Sequence, residues 1–194
     1  MPSLVGSEMC IRDRQKTISI QRILKTFALV FVGSMILTLS AKLKIPFYPV
    51  PMTMQTFVVL FFGIAFGYKI GLATVAVYLL EGIMGAPVFS NSPEKGVGML
   101  YFTGPTMGYL LGFLPAVFLA GILNLKDNIF FIFLKLIFSV SIIYILGVLW
   151  LGNLIGWDKP IVQLGVSPFL LAEVFKISIL TLLTKKILIF RSFI

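Results

Sequence analysis

Long apolar runs constrain the fold of this chain more than any other feature of its sequence. The runs at 23–41 and 129–151 are each about 20 residues long, and an α-helix of that length crosses a hydrocarbon core of roughly 30 Å. Hydrophobic residues make up 59% of the 194 residues and charged residues only 12%, which is outside the range of soluble globular proteins. The sequence therefore predicts an integral membrane protein.

Shorter apolar segments, separated by turn residues, extend this pattern to an all-α bundle of six transmembrane helices. Residues 1–16 are more polar than the rest of the chain, and we interpret them as either a disordered tail or a foreign segment. Residues 17–194 then form one membrane domain. The predicted spans lie at about 22–41, 55–67, 69–84, 105–123, 128–151 and 168–189.

The basic residues are distributed unequally between the two sides of this predicted bundle. The positive-inside rule assigns the richer side to the cytoplasm, so both termini are predicted to be cytoplasmic in the plasma membrane of a prokaryote. This asymmetry also explains the net charge of +9 without nucleic-acid binding. The cytoplasmic set is Arg12, Arg14, Lys16, Arg22, Lys25, Lys69, Lys126, Lys185, Lys186 and Arg191, and the outer set is Lys42, Lys44, Lys95 and Lys159.

Two loops on the predicted outer side have unusual sequences. The proline-rich loop (residues 42–56) contains Pro46, Pro49 and Pro51, which exclude a regular helix and favour extended backbone. The glycine-rich loop (residues 85–103) is long, and a loop of such length commonly covers a ligand. We predict that the proline-rich loop helps to build a pocket and that the long outward-facing loops form a ligand lid.

Polar residues within the predicted spans are the candidates for ligand binding. Glu173 and Lys176 lie three residues apart on one face of the last predicted helix, where an isolated charge costs about 2.5–3.5 kcal/mol. They form either a structural ion pair or a ligand site facing the bundle interior, and charges within a membrane more commonly mark substrate paths. Gln55, at the start of another predicted helix, is either an interfacial residue or a ligand contact.

Residues that catalytic and metal sites need are scarce. The chain contains no histidine and one cysteine, which excludes a disulfide framework and a soft-metal cluster. It also has no GxxxxGK[ST] string, so we predict no phosphate-binding loop of that type. We therefore predict neither an enzyme nor a resident cofactor. The bundle itself is a candidate for a self-sufficient transporter. Such transporters often contain internal repeats, however, and the sequence shows no convincing one.

Four sequence strings occur in a characteristic order: IPFYPVPMTMQTF (45–57), YLLEGIMGAPVF (78–89), TGPTMGYLLGF (103–113) and PFLLAEVFK (168–176). Together they resemble the BioY family, the biotin-binding membrane subunits, or S-components, of energy-coupling-factor (ECF) vitamin transporters. The similarity extends over about 21–183. It implies a six-helix bundle that captures biotin from outside and works with a transmembrane coupling subunit and two cytoplasmic ATP-binding subunits. An S-component for another vitamin is the alternative.

The resemblance also implies roles for single residues. The acidic-x-x-Lys pair of the family falls on Glu173 and Lys176, although the family more often has Asp at the acidic position. Asn91 corresponds best to a polar position of the lid. The implied ligand-binding set is Glu173, Lys176, Asn91, Gln55, Tyr109 and Gly104.

Two positions depart from the pattern of the family. Met107 replaces the usual small residue of the third string, which narrows that helix face. The small-residue stripe that docks the coupling subunit is reduced to Ala28, Gly33 and Ser34 on the first predicted helix. Elsewhere the spans are expected to contact membrane lipid.

Overall fold

A computed structural model describes residues 4–46, 48–123, 127–189 and 191, with side chains described from Ile20 onward except that of Arg22. The described part is mostly helical. Its helices are α1 (Leu4–Lys42), α2 (Gln55–Ile83), α3 (Met99–Phe102), α4 (Met107–Gly121), α5 (Ile129–Ile155), α6 (Ile161–Gly165) and α7 (Leu170–Leu188). The proline-rich loop forms a small antiparallel hairpin of β1 (Lys44–Ile45) and β2 (Met52–Thr53).

Three helical segments in the described ranges are long and apolar enough to cross a membrane. They are Ile23–Lys42 within α1, α2 as a whole, and α5. The helix α4 is apolar but only 15 residues long, and α7 has 19 residues, among them four charged ones. These helices confirm the predicted membrane protein of mostly helical structure, whereas the count of six spans stays a prediction.

The helix α2 folds back on itself at Gly67. This glycine has φ 78° and ψ 173°, a conformation that other residues rarely adopt. Gln55 Nε2 donates a hydrogen bond of 2.7 Å to the hydroxyl of Tyr78, although a straight helix would separate two residues so far apart in sequence by about 34 Å. A Cβ atom on Gly71 would also lie 3.4 Å from the Cα atom of Gly63. The element therefore consists of two antiparallel helical segments, with the tight turn that the sequence predicts at 67–69.

Close helix packing in the bundle depends on small residues. The helix α4 packs against both α2 and α5. A Cβ atom on Gly63 would lie 2.6 Å from the carbonyl oxygen of Val117, and one on Gly112 would lie 2.7 Å from the Cα atom of Ile143. Backbones approach this closely only where side chains are absent, so these glycines set the helix separation.

Two boundaries differ from the sequence prediction. The helix α1 begins at Leu4 and thus includes most of 1–16, because no proline interrupts this segment. The predicted division into a tail and a membrane domain stays a prediction. The helix α5 continues to Ile155 and ends where Gly156 adopts φ 90°, and the next segment contains the short helix α6.

Arg191 closes the end of the bundle at which α2 turns and α4 ends. Its guanidinium donates hydrogen bonds to the carbonyls of Ile64 at 2.7 Å and Gly63 at 3.0 Å. It also donates to the carbonyls of Leu123 and Gly121, each at 2.9 Å. Carbonyls at helix ends lack helical partners and carry partial negative charge, so a guanidinium satisfies them well. Burial lowers the pKa of Arg191, which stays charged because its ordinary value is far above neutrality.

Candidate functional site

A cavity of about 50 Å³ lies between the β1–β2 hairpin, α2, α4, α5 and α7, and we call it the main cavity because Gln55, Tyr109 and Glu173 all line it. The hairpin contributes apolar side chains, which fits the prediction that the proline-rich loop helps to build a pocket. Of the 16 residues that line this cavity, seven carry a hydroxyl group, one an amide and one a carboxylate, and the other seven are apolar. The lining residues are Val50, Pro51, Met52, Thr53, Gln55, Thr56, Ser90, Tyr101, Thr106, Tyr109, Leu110, Phe113, Ile143, Tyr144, Phe169 and Glu173.

Glu173 and Lys176 form a buried ion pair at the wall of the main cavity. Lys176 Nζ lies 2.8 Å from Glu173 Oε1, and both side chains are less than a tenth exposed. The same ammonium donates to the carbonyl of Thr53 at 2.7 Å and to Thr56 Oγ1 at 3.1 Å. These three bonds use all three donors of the lysine, so Lys176 acts on Glu173 and the hairpin rather than directly on the cavity.

The second carboxylate oxygen of Glu173 is not used by this network. Thr56 Oγ1 donates to Oε1 at 2.8 Å, as Lys176 does. Oε2 is buried, and no described residue donates a hydrogen bond to it within 3.5 Å, although the Tyr144 hydroxyl is close enough to interact with the Glu173 carboxylate. A buried carboxylate oxygen without a donor is costly, so Oε2 is an acceptor for an N–H or O–H group placed in the cavity.

Gln55 lines the main cavity and is held in one orientation. Its Nε2 donates to the Tyr78 hydroxyl at 2.7 Å, and its Oε1 accepts a bond of 3.2 Å from Thr53 Oγ1. The Tyr78 hydroxyl in turn donates to the carbonyl of Val88 at 3.3 Å. The turn at Gly67 makes these contacts possible, because it brings the two segments of α2 side by side.

Three aromatic rings form another wall of the main cavity. Tyr109 packs edge-on against Tyr144 with 5.9 Å between ring centroids, and Tyr144 is stacked with Phe169 at 6.3 Å. The hydroxyl of Tyr109 donates to the carbonyl of Gly165 at 2.9 Å, which attaches α6 to α4. The wall presents flat apolar surface suited to a ring system.

Asn91 and Gly104 lie beside the main cavity rather than in its lining. Both line a smaller adjoining cavity, and Tyr101 and Thr106 line both cavities. The carbonyl of Gly104 accepts a hydrogen bond of 2.9 Å from Trp150 Nε1. The structure thus brings Glu173, Gln55 and Tyr109 together in the main cavity, and it places the other predicted residues next to them.

The model of the BioY family matches residues 13–192 of the chain. This chain belongs to the BioY family. It is 35% identical over 153 residues to the biotin transporter BioY of Thermotoga maritima, which covers 78% of this chain and 89% of that relative. It is 29% identical over 163 residues to a probable biotin transporter BioY of Pyrococcus horikoshii, which covers 84% and 96% of the two chains.

The fold is similar to that of a solved protein, described as the S-component for biotin from an ECF-type ABC transporter. The two structures have a TM-score of 0.70 over 86% of this chain and 92% of that chain, at 23% sequence identity. The family and its named relatives confirm the resemblance that the four strings indicate. Because those BioY relatives are named as transporters, this chain is a transport component rather than an enzyme.

Thr56 and Tyr144 belong to the site of this BioY family member, although neither is among the residues predicted from the sequence. Thr56 bonds to both members of the ion pair, and Tyr144 lies in the aromatic wall. Tyr144 carries a hydroxyl in the most apolar helix of the chain, and such a polar group inside a span is a signal that could have identified it. Thr56 offers a weaker signal, because it directly follows Gln55 in the first of the four strings.

The structure places two of the three predicted docking residues of α1 against α2. A Cβ atom on Gly33 would lie 2.6 Å from Thr74 Cγ2, and Ser34 Oγ donates to Glu81 Oε1 at 2.9 Å. Both residues are buried against α2, and their role in docking a coupling subunit stays a prediction. Of the three predicted residues, Ala28 is exposed.

Proposed function

We propose that this chain is the high-affinity biotin-binding subunit of an ECF transporter. It captures biotin outside a prokaryotic cell and delivers it across the plasma membrane with a coupling subunit and two ATP-binding subunits. The observation that carries the proposal is the buried network of Thr56, Glu173 and Lys176, which presents Glu173 Oε2 to a cavity in a member of the BioY family.

The chemistry of biotin fits the main cavity. Its ureido group donates two hydrogen bonds through N–H groups, and its fused rings are apolar. Glu173 Oε2 supplies an acceptor for a ureido N–H, and the rings pack against the wall of Tyr109, Tyr144 and Phe169. A mostly apolar pocket with few convergent polar groups is typical of small-molecule sites. The adjoining cavity, with Asn91 and Gly104, extends the site toward the glycine-rich loop.

The transport direction depends on topology, for which we propose six spans with both termini in the cytoplasm. The reversal of α2 at Gly67 supports two spans within that element, and the basic residues support the orientation. The proline-rich and glycine-rich loops then face outward and cover the cavity, the latter as a lid. In support, residues 50–53 and Ser90 belong to the lining of the main cavity.

The partner subunits supply the ATP hydrolysis, since the sequence has no phosphate-binding string. We propose that the coupling subunit contacts the exposed face of α1, which includes Ala28 and carries large apolar side chains such as Phe27 and Phe31. The remaining apolar surface contacts membrane lipid.

Equilibrium binding of biotin, riboflavin and thiamin to the detergent-purified chain, without partner subunits, tests the proposal. We expect nanomolar binding of biotin and no binding of the other two vitamins. Binding of riboflavin or thiamin instead would identify an S-component for another vitamin. A folded chain that binds none of the three would overturn the proposed function. Uptake of biotin by vesicles containing this chain alone would favour a self-sufficient transporter.

A further inference from the structure

Lys42, the last residue of α1, reaches into the glycine-rich loop. Its Nζ donates hydrogen bonds to the carbonyl of Phe89 at 2.9 Å and to the carbonyl of Ser92 at 2.7 Å. These two carbonyls lie at the ends of residues 89–92, which we call the clamped segment. The sequence pattern accounts for Lys42 only as one of the few basic residues on the outer side, and this contact gives it a further role.

Lys44, in β1, binds the middle of the clamped segment. Its Nζ donates to the carbonyl of Ser90 at 2.8 Å and to Asn91 Oδ1 at 3.1 Å. The exposed Glu94 also lies near, with 3.7 Å between its Oε2 and the same ammonium. Lys44 therefore binds the backbone carbonyl of Ser90 and the side chain of Asn91.

The clamped segment forms part of both cavities. Its four residues are buried, Ser90 lines the main cavity and Asn91 lines the smaller one. The ring of Phe89 is stacked on Tyr101 with 4.7 Å between centroids, and Tyr101 lines both cavities. A displacement of this segment would therefore reshape both cavities at once.

Lys42 and Lys44 stabilise the clamped segment because they donate hydrogen bonds to its backbone carbonyls. Among the described residues, Ser90 and Ser92 have backbone oxygens that accept hydrogen bonds from Lys44 and Lys42 alone. Hydrogen bonds from an ammonium are shorter and stronger than neutral ones. A buried carbonyl that loses its donor is destabilised, so removal of either lysine should favour conformations in which the segment moves outward.

We propose that Lys42 and Lys44 clamp residues 89–92 over the cavities and that Lys44 is a positioning residue for Asn91. Because Oδ1 of Asn91 accepts the bond from Lys44, the amide nitrogen of Asn91 is left for the smaller cavity. A ligand that enters or leaves past the clamped segment requires the four hydrogen bonds from Lys42 and Lys44 to break. The clamp therefore slows dissociation of the ligand. The identity of the ligand, biotin, rests on the proposed function. The clamp itself rests only on the contacts of Lys42 and Lys44.

Dissociation kinetics and hydrogen exchange test the clamp. For the double variant Lys42→Met, Lys44→Met we expect the dissociation rate of biotin to rise at least tenfold. In the ligand-free chain, we expect faster amide exchange in a peptide covering 88–96 than in the unchanged chain. If both quantities equal those of the unchanged chain, the proposal is overturned. If the double variant does not fold, Lys42→Met and Lys44→Met are tested separately. Each of these single variants keeps the hydrogen bonds of the other lysine.

A double-mutant cycle tests the positioning role. Lys44→Met should weaken biotin binding in the unchanged chain and have a smaller effect when Asn91→Ala is present, because only the bond to the carbonyl of Ser90 is then lost, and Lys44→Arg should restore most of the affinity. Equal effects in both backgrounds would contradict a role through Asn91.

The matched control is Lys159→Met, because Lys159 is an exposed lysine of the predicted outer side that lines neither cavity and lies outside the peptide 88–96. This variant removes the same charge and should leave dissociation and exchange unchanged. Equal acceleration by Lys159→Met would assign the effect to net charge and overturn the clamp. If the unchanged chain binds no biotin, the proposed function fails, while the hydrogen-exchange comparison still decides whether the clamp exists.

Discussion

Lys176 is held against Glu173 by a buried ion pair of 2.8 Å, and it uses its other donors on Thr53 and Thr56. The two interpretations of this pair that the sequence leaves open are therefore compatible. The pair is a structural ion pair through Oε1, and it leaves Oε2 of a residue that lines the main cavity without a hydrogen-bond partner among the described residues. The lysine neutralises and orients the acid, while the acid is the group in contact with the cavity.

Loss of Lys176 should weaken ligand binding. In Lys176→Ala, Glu173 loses its buried counter-ion and the carbonyl of Thr53 loses its donor. We expect the Kd for biotin to rise at least tenfold, about 1.4 kcal/mol. Lys185→Ala, on an exposed position of the same helix, is the control and should bind as the unchanged chain does. An unaltered Kd in Lys176→Ala would refute the role of the lysine.

Substitutions of Glu173 separate charge from length. Glu173→Gln keeps the size of the side chain but leaves the buried Lys176 without an anion, which is costly. We expect at least a tenfold loss of biotin affinity by isothermal titration. Glu173→Asp keeps the charge and shortens the side chain by one methylene, so it should retain more affinity than Glu173→Gln. The opposite order would show that the carboxylate charge is not what the ligand requires.

A larger side chain at Gly63 should destabilise the bundle. A Cβ atom there would lie 2.6 Å from the carbonyl oxygen of Val117 and 2.8 Å from Ala120 Cβ. Overpacking of this kind costs about 1–3 kcal/mol, so Gly63→Leu should lower the Tm measured by circular dichroism in detergent. Ala28→Leu, on the exposed face of α1, provides the comparison and should leave the Tm unchanged. Equal Tm values for the two variants would argue against close packing of α2 on α4 at this glycine.

Replacement of Arg191 should affect stability without affecting binding. In Arg191→Lys the charge is kept, but an ammonium has too few donors for the four carbonyls that the guanidinium reaches. Each lost hydrogen bond costs about 0.5–1.5 kcal/mol, so we expect a lower Tm. The Kd for biotin should not change, because none of the four carbonyl residues lines the main cavity. Lys186→Met is the control for both measurements. A biotin affinity that falls in Arg191→Lys would connect this end of the bundle to the site.

Much of the architecture could be predicted because it is encoded locally. The turn at Gly67 depends on one residue that tolerates a positive φ, and the extended hairpin depends on closely spaced prolines. Glu173 could be predicted as a site residue because a carboxylate inside a span requires a specific reason. Its relation to Lys176 follows from their spacing of three residues on one helix.

Other parts of the site could not be predicted, because they depend on which helix faces meet. Small residues are suited equally to an outer docking surface and to internal packing, and the structure shows that Gly33 and Ser34 pack internally against α2. The sequence predicts Asn91 around the pocket, and this residue lies in an adjoining cavity because Lys44 and Tyr101 hold the loop there.

The order of residues alone is enough to establish that this chain enters a membrane, where most of its helices and turns lie, and which family it belongs to. Hydrophobic runs, prolines and glycines act on their own neighbourhood, and the motifs of the BioY family are contiguous. The contacts of Thr56 with Glu173 and of Lys44 with Asn91 emerge only in the folded bundle. Such contacts join residues far apart in the chain, and they form only when helix packing brings two particular faces together.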